Sequence, residues 1–172
     1  MPTALDLFER HQLAVFRFLR RMGLSPADAE DLTQDVFVRV VQAMPDYEER
    51  QMESAWVFRI ARNIRLDHWR TQGRAPRSEP LGDDLVAPAA RVDGLALDEA
   101  LERLGDAERE AFVLREVAGL GYAEIADATG ATPDAVRNRI HRARMALRQA
   151  LGPGDGATRA SVGREARRWI RT

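Results

Sequence analysis

Five arginines, Arg137, Arg139, Arg142, Arg144 and Arg148, stand within twelve residues that contain no acid. An arginine fork grips phosphate oxygens or the guanine edge with two bonds, and an asparagine such as Asn138 can do the same for adenine. The chemistry on offer is recognition of duplex nucleic acid. A second basic stretch, 59–77, holds Arg59, Arg62, Arg65, Arg70, Arg74 and Arg77 against Asp67 alone. Within it Arg59, Asn63 and Asp67 lie four apart and share a helix face. The segment before it, 28–53, is acidic, with eight carboxylates against Arg39 and Arg50. Material for catalysis is lacking. There is no cysteine, and His11, His68 and His141 fall on separate elements. No metal-ligand spacing, phosphate loop or nucleophile elbow occurs. The expectation is a protein that binds rather than catalyses, with no metal and no cofactor.

These residues need elements to hold them, and the pattern is all-α. "TALDLFERHQLAVFRFLRRMG" spaces Leu5, Phe8, Leu13, Phe16 and Leu19/Leu24 as a helix face, with Gly23 as a stop. "SPADAEDLTQDVFVRVVQAM" opens on a Ser25 N-cap and Pro26, and turns Ala29, Leu32, Val36 and Val40 inward. After the loop "PDYEERQMES", the helix "SAWVFRIARNIRLDHWRTQ" faces inward with Val57, Ile60/Ala61 and Ile64. Positions 73–94 carry three prolines and three glycines without apolar period, and read as a flexible linker. Four further helices follow over 95–151, with breaks near Gly105, Gly119–Gly121 and Gly130–Pro133. The fold class is therefore all-α, with two small helical domains at 1–72 and 95–151 and a basic tail at 152–172.

Inside the second domain, "YAEIADATGATPDAVRNRI" has the spacing of a helix-turn-helix. Ala126 allows a close crossing, Gly130 permits the sharp turn, and Val136 opens the next inner face. Thr132, Pro133 and Asp134 supply a cap, a first-turn proline and a first-turn acid. At about 100° per residue, Val136, Ile140, Ala143 and Leu147 form the inner stripe. Asn138, His141, Arg142 and Met145 fall opposite, flanked by Arg137 and Arg148. Such motifs read the major groove with the exposed N-terminal half of this second helix.

The balance of the whole chain, 26 arginines against 27 acids in 172 residues, hides these patches and argues nothing against nucleic acid. The absent cysteines suit a reducing cytoplasm. The N-terminus lacks a basic-then-apolar signal pattern, and no apolar run approaches the ~18 residues of a membrane span. A cytoplasmic protein without membrane insertion is expected.

Together, "DAEDLTQDVF", "WVFRIARNIRLDHWR" and "EREAFVLREVAGLGYAEIADATGATPDAVRNRIHRARMALR", in that order and spacing, resemble the bacterial extracytoplasmic-function group of sigma-70 factors over about 5–151. The resemblance implies a specificity subunit of RNA polymerase. It assigns Asp31, Gln34, Asp35 and Arg39 to docking on the polymerase, chiefly the β′ clamp helices beside the β subunit. It assigns Arg59, Asn63 and Asp67 to the −10 element, and the 45–54 loop to a flipped base, with Tyr47 as the candidate stacking ring. Arg137, Asn138, His141 and Arg142 would read the −35 duplex. Promoter DNA, core polymerase and an anti-sigma factor are the implied partners. Two positions depart from the family pattern: Asp35, where Glu is common, and Thr129, where a larger aliphatic is usual. Trp56 reads as packing, and Trp69 is open between packing and contact. The other reading is a free-standing helix-turn-helix repressor or activator whose first domain dimerises or senses.

Overall fold

A computed structural model describes residues 2–48, 52–73 and 96–151. The linker and tail expected at 73–94 and 152–172 lie outside the described residues, save Gly73. Every regular element among the described residues is helical. The order is α1 (Ala4–Arg21), α2 (Pro26–Ala43), a 3-10 turn (Met44–Asp46), α3 (Glu53–Thr71), α4 (96–102), α5 (Asp106–Glu116), α6 (Tyr122–Thr129) and α7 (Pro133–Ala150).

The starts of these helices are written in their first residues. Thr3 Oγ1 accepts from the Asp6 amide at 3.1 Å while Asp6 accepts from the Thr3 amide at 2.7 Å, a reciprocal capping box. The Thr3 hydrogen bonds hold the Asp6 carboxyl below its usual value. Ser25 caps α2 through the Asp28 amide, with Pro26 at the first turn, as the sequence implies. Thr132 does the same for α7 through the Ala135 amide.

α1, α2 and α3 pack mutually as a three-helix group, and α5, α6 and α7 as a second. The expected inner faces of α2 and α7 are the observed ones: Ala29, Leu32, Val36 and Val40, and Val136, Ile140, Ala143 and Leu147, are all buried. That of α1 holds only in part: Leu19 and Leu24 are buried and Phe16 partly so, but Leu5, Phe8 and Leu13 are exposed, and Leu7, Val15 and Phe18 are buried instead. α1 carries apolar residues on two faces, and spacing alone cannot choose between them. On α3, Val57 and Ala61 are buried as expected, but Ile60 and Ile64 only partly. Phe58, Arg65 and Trp69 complete the stripe.

The turn of the helix-turn-helix rests on Gly130, at φ +70° and ψ 20°. A Cβ added there would meet nothing within 4 Å, so only the backbone objects. Gly130→Ala should cost about 1 kcal/mol from the left-handed penalty alone. Its thermal midpoint should fall by roughly 4–8 °C. An unchanged midpoint would mean that the turn relaxes out of this conformation.

The two helical groups are not separate cores. α3 packs on α6 and α1 on α5, and the buried apolar residues of both groups form one continuous cluster.

Candidate nucleic-acid and polymerase interfaces

The outward row on α7 is the one the sequence marks. With Val136 and Ile140 locked inward, Arg137, Asn138, His141 and Arg142 are all exposed on the opposite side. Arg137, Asn138 and His141 sit in the first half of the helix, after the Gly130 turn, and Arg142 just past its midpoint. Two are already engaged within the domain. Arg137 donates to Asp134 at 2.6 Å and lies 5.5 Å from the Tyr122 ring centroid. Arg142 donates twice to Glu108 Oε1, at 2.9 and 3.1 Å, and holds that carboxyl below its usual value. Exposed pairs of this kind contribute about 0–1 kcal/mol, so they orient the arginines without committing them. Arg144 differs. It donates to Glu116 at 2.9 Å, a carboxylate only 8% exposed, and belongs to the α5–α7 seam. The departure at Thr129 also has a local reason: its hydroxyl donates to the Ile125 carbonyl one turn back, at 2.7 Å.

α3 is split by its surroundings. Asn63 and Asp67 are exposed, and Asp67 accepts from Arg70 at 2.9 Å, so its charge is met by a neighbouring arginine. Arg59, on the same face, is ion-paired with Asp127 of α6. Tyr47 does not stand open for a base in this arrangement. It is 7% exposed, and its ring packs on Trp56 with centroids 4.6 Å apart. A loop ring next to a half-buried tryptophan gains more from apolar burial than from water, which loop position alone does not reveal. Trp56 packs against the core, as expected. Trp69, left open by the sequence, is 9% exposed and lies under the Arg65 guanidinium, 4.2 Å from its centroid.

On α2, Asp31, Gln34, Asp35 and Arg39 are all exposed. The same side carries Val38 and Val41, 57% and 58% exposed. Sequence reasoning passed over these valines, yet the wheel that buries Ala29, Leu32, Val36 and Val40 necessarily turns them out. Near the start of α1, exposed Leu5 and Phe8 add apolar surface, and Phe8 meets Phe37 of α2 edge-on at 5.0 Å. The resulting surface is acidic at one end and apolar at the other.

Sequence reasoning also missed the destination of Arg65. Its side chain is fully buried, donating to Glu110 at 2.6 Å and to Asp106 at 3.4 Å. Burial pushes the guanidinium below its usual value, against the pull of Glu110 and Asp106. Arg109 of α5, lowered by burial to about 10, reaches back to the C-terminal end of α1 and donates to the Arg21 carbonyl at 2.7 Å. Among the described residues no group of three or more His, Asp or Glu side chains could hold a metal ion. No described helix is long and apolar enough to cross a membrane.

This arrangement, a three-helix group with a charged outer stripe followed by a helix-turn-helix, agrees with known proteins. Residues 7–75 match the family model of sigma-70 region 2, and 94–147 that of sigma-70 region 4. The chain is 37% identical over 153 residues to the RNA polymerase sigma factor CarQ of Myxococcus xanthus, covering 86% of this chain and 88% of CarQ. It is 36% identical over 173 residues to the ECF RNA polymerase sigma factor SigE of Mycolicibacterium smegmatis, covering 94% of this chain but spanning only 66% of SigE. The solved structure of CnrH in complex with the cytosolic domain of CnrY superposes with a TM-score of 0.68 at 31% identity, over 86% of each chain. The sigma factor RpoE of Bartonella quintana, solved with the anti-sigma factor NepR, shares the fold at a TM-score of 0.68 and 22% identity, over 84% of this chain and 93% of RpoE. The chain belongs to the sigma-70 family of RNA polymerase sigma factors, in its extracytoplasmic-function group.

Proposed function

We propose that this chain binds core RNA polymerase and directs it to a two-part promoter, with residues 1–72 docking and taking the opened −10 strand and residues 95–151 reading the −35 duplex. The carrying observation is that one chain presents three distinct outward rows: acidic and apolar on α2, Asn63 with Asp67 and Arg70 on α3, and Arg137, Asn138, His141 and Arg142 on α7. A free-standing repressor needs only the third. The α2 row suits a basic partner surface such as the β′ clamp helices: Asp31 and Asp35 supply charge for steering, and Val38 and Val41 supply apolar area. Asn63 and Arg59 suit a single strand, which needs a cationic track and polar groups for base edges. The α7 row suits the major groove. The chain performs no bond chemistry itself and works in the cytoplasm, where the polymerase is. An anti-sigma factor that occupies the docking surface would silence it.

Val38→Glu tests the docking surface. At an exposed position it should leave folding stability within about 0.5 kcal/mol. Charge in the apolar part of the interface should weaken core polymerase binding at least about tenfold, or about 1.4 kcal/mol. Titration of labelled chain with core enzyme reads the change, and undiminished affinity would remove the valines from the interface.

A further inference from the structure

Arg142 is held differently from the other outward residues of α7. Its Nε and Nη2 both donate to one oxygen, Glu108 Oε1, at 3.1 and 2.9 Å. Glu108 belongs to α5, 34 residues earlier in the chain. Arg137, by contrast, is tied to Asp134 of its own helix, and both partners of that pair are largely exposed. Glu108 is itself fixed. It stands in the first turn of α5, where the helix end favours an acid. Its side chain is 25% exposed, against 60% for Arg142. Its second oxygen, Oε2, lies over Gly105, where an added Cβ would stand 2.5 Å from it. The hydrogen bonds from Arg142, and after them the residue's own amide, keep its carboxyl charged below the usual range against partial burial.

A guanidinium offers two edges that each present a pair of parallel N–H donors. The Nε–Nη2 edge of Arg142 is taken by Glu108, and the Nη1–Nη2 edge meets no acceptor among the described residues. Such a pair of donors matches guanine, which sets O6 and N7 side by side in the major groove. Adenine places an amino donor beside its N7, and thymine offers one oxygen and a methyl group.

We propose that Glu108 is a positioning residue of the −35 reader: it fixes Arg142 by the Nε edge, leaves the Nη1–Nη2 edge for the groove, and so makes Arg142 select guanine. This rests on the reading of α7 as the −35 helix. An arginine on a free stem has many acceptors within reach of a duplex, and phosphates take most of them without regard to sequence. Leaving Glu108 for a phosphate exchanges one exposed anion for another and gains little. Reading guanine from Glu108 keeps both sets of bonds. The pair is weak, but it survives in the guanine complex and is lost in the phosphate complex, so it adds to discrimination. A fork already fixed also loses less rotamer freedom when it meets the base.

The test uses the full-length chain with core polymerase, on a promoter found by start-site mapping, with each base of its −35 element varied singly. The wild-type chain should prefer guanine at one position, which Arg142→Ala identifies by abolishing that preference. Glu108→Ala should cut the same preference at least about fivefold, the lower end of what one bidentate contact supplies. Preferences at the other positions should stay within about twofold. In the Arg142→Ala background, Glu108→Ala should change nothing further, because it acts through that side chain. Glu9→Ala, which removes an equal charge from an exposed position on α1, should leave the preference as it is. Circular dichroism melts check folding. Glu108→Gln, which keeps the oxygen without the charge, should lose about twofold and carries the test where Glu108→Ala does not fold. A guanine preference unchanged in a folded Glu108 variant overturns the proposal, as does a wild-type preference for another base at the Arg142 position. An equal loss at every position, or a loss that persists without Arg142, also overturns it and makes Glu108 a structural tie between α5 and α7. A wild-type chain that starts no specific transcript with any bacterial core overturns instead the reading on which the proposal rests.

Discussion

Alanine at both Asn138 and Arg142 will cut −35-dependent initiation about a hundredfold while leaving core polymerase binding intact. Each well-placed bidentate base contact contributes about 1–3 kcal/mol of discrimination. A hundredfold corresponds to about 2.8 kcal/mol, within the reach of two such contacts. Were Arg142 to leave Glu108, the loss would be small: that pair is exposed on the arginine side and contributes about 0–1 kcal/mol, so the base contact wins. Neither side chain supports the core, since the inward positions are Val136, Ile140, Ala143 and Leu147. Stability should therefore hold within about 0.5 kcal/mol. Transcription from matched templates with intact and scrambled −35 elements reads the effect. The variant should treat the two templates alike. Loss of core binding together with transcription would mean that α7 is structural.

Phe58→Ala will act on the fold instead, and will remove both activities of the first helical group at once. Phe58 is 1% exposed and meets Phe18 edge-on, with centroids 5.7 Å apart. Truncating a buried phenylalanine costs about 3–5 kcal/mol. A small domain holds only about 5 kcal/mol in all, at the low end of native stabilities. The thermal midpoint should fall on the order of 10–25 °C. Core binding and −10 capture should fail in parallel, because Phe58 belongs to the helix that presents Asn63 and packs on the helix that presents Asp35. Val38→Glu, by contrast, should separate them. Circular dichroism melts beside core titrations distinguish the two, and a Phe58→Ala chain with an unchanged midpoint would contradict the assigned core.

Residues with one job were legible in the sequence. α2 and α7 each have a single apolar stripe, a capping hydroxyl and a first-turn proline, so inner face, outer face and start all agree before any coordinates. Gly130 was legible because a turn that tight leaves few residues able to make it. α1 was not, since Leu5, Phe8 and Leu13 mimic a buried stripe while Leu7, Val15 and Phe18 are the true one. Tyr47 and Trp56 were separable only by their contact across the loop. The largest gap is Arg65. A charge among apolar neighbours is expected to face water. Its burial follows from Glu110, 45 residues away in sequence, and pairing at that range leaves no periodic trace. The basic composition of α3 was legible in the sequence, but its carboxylate partners emerge only from the packing of α3 on α5 and α6.

Run-off transcription with bacterial core polymerase on a library of genomic fragments, with start sites mapped, tests the central claim most directly. The account predicts start sites at a fixed distance downstream of one recurring two-part element, present only with the chain and lost with Asn138→Ala/Arg142→Ala. Tight binding of the chain alone to duplex DNA, with no promoter-specific start from any bacterial core, would contradict it.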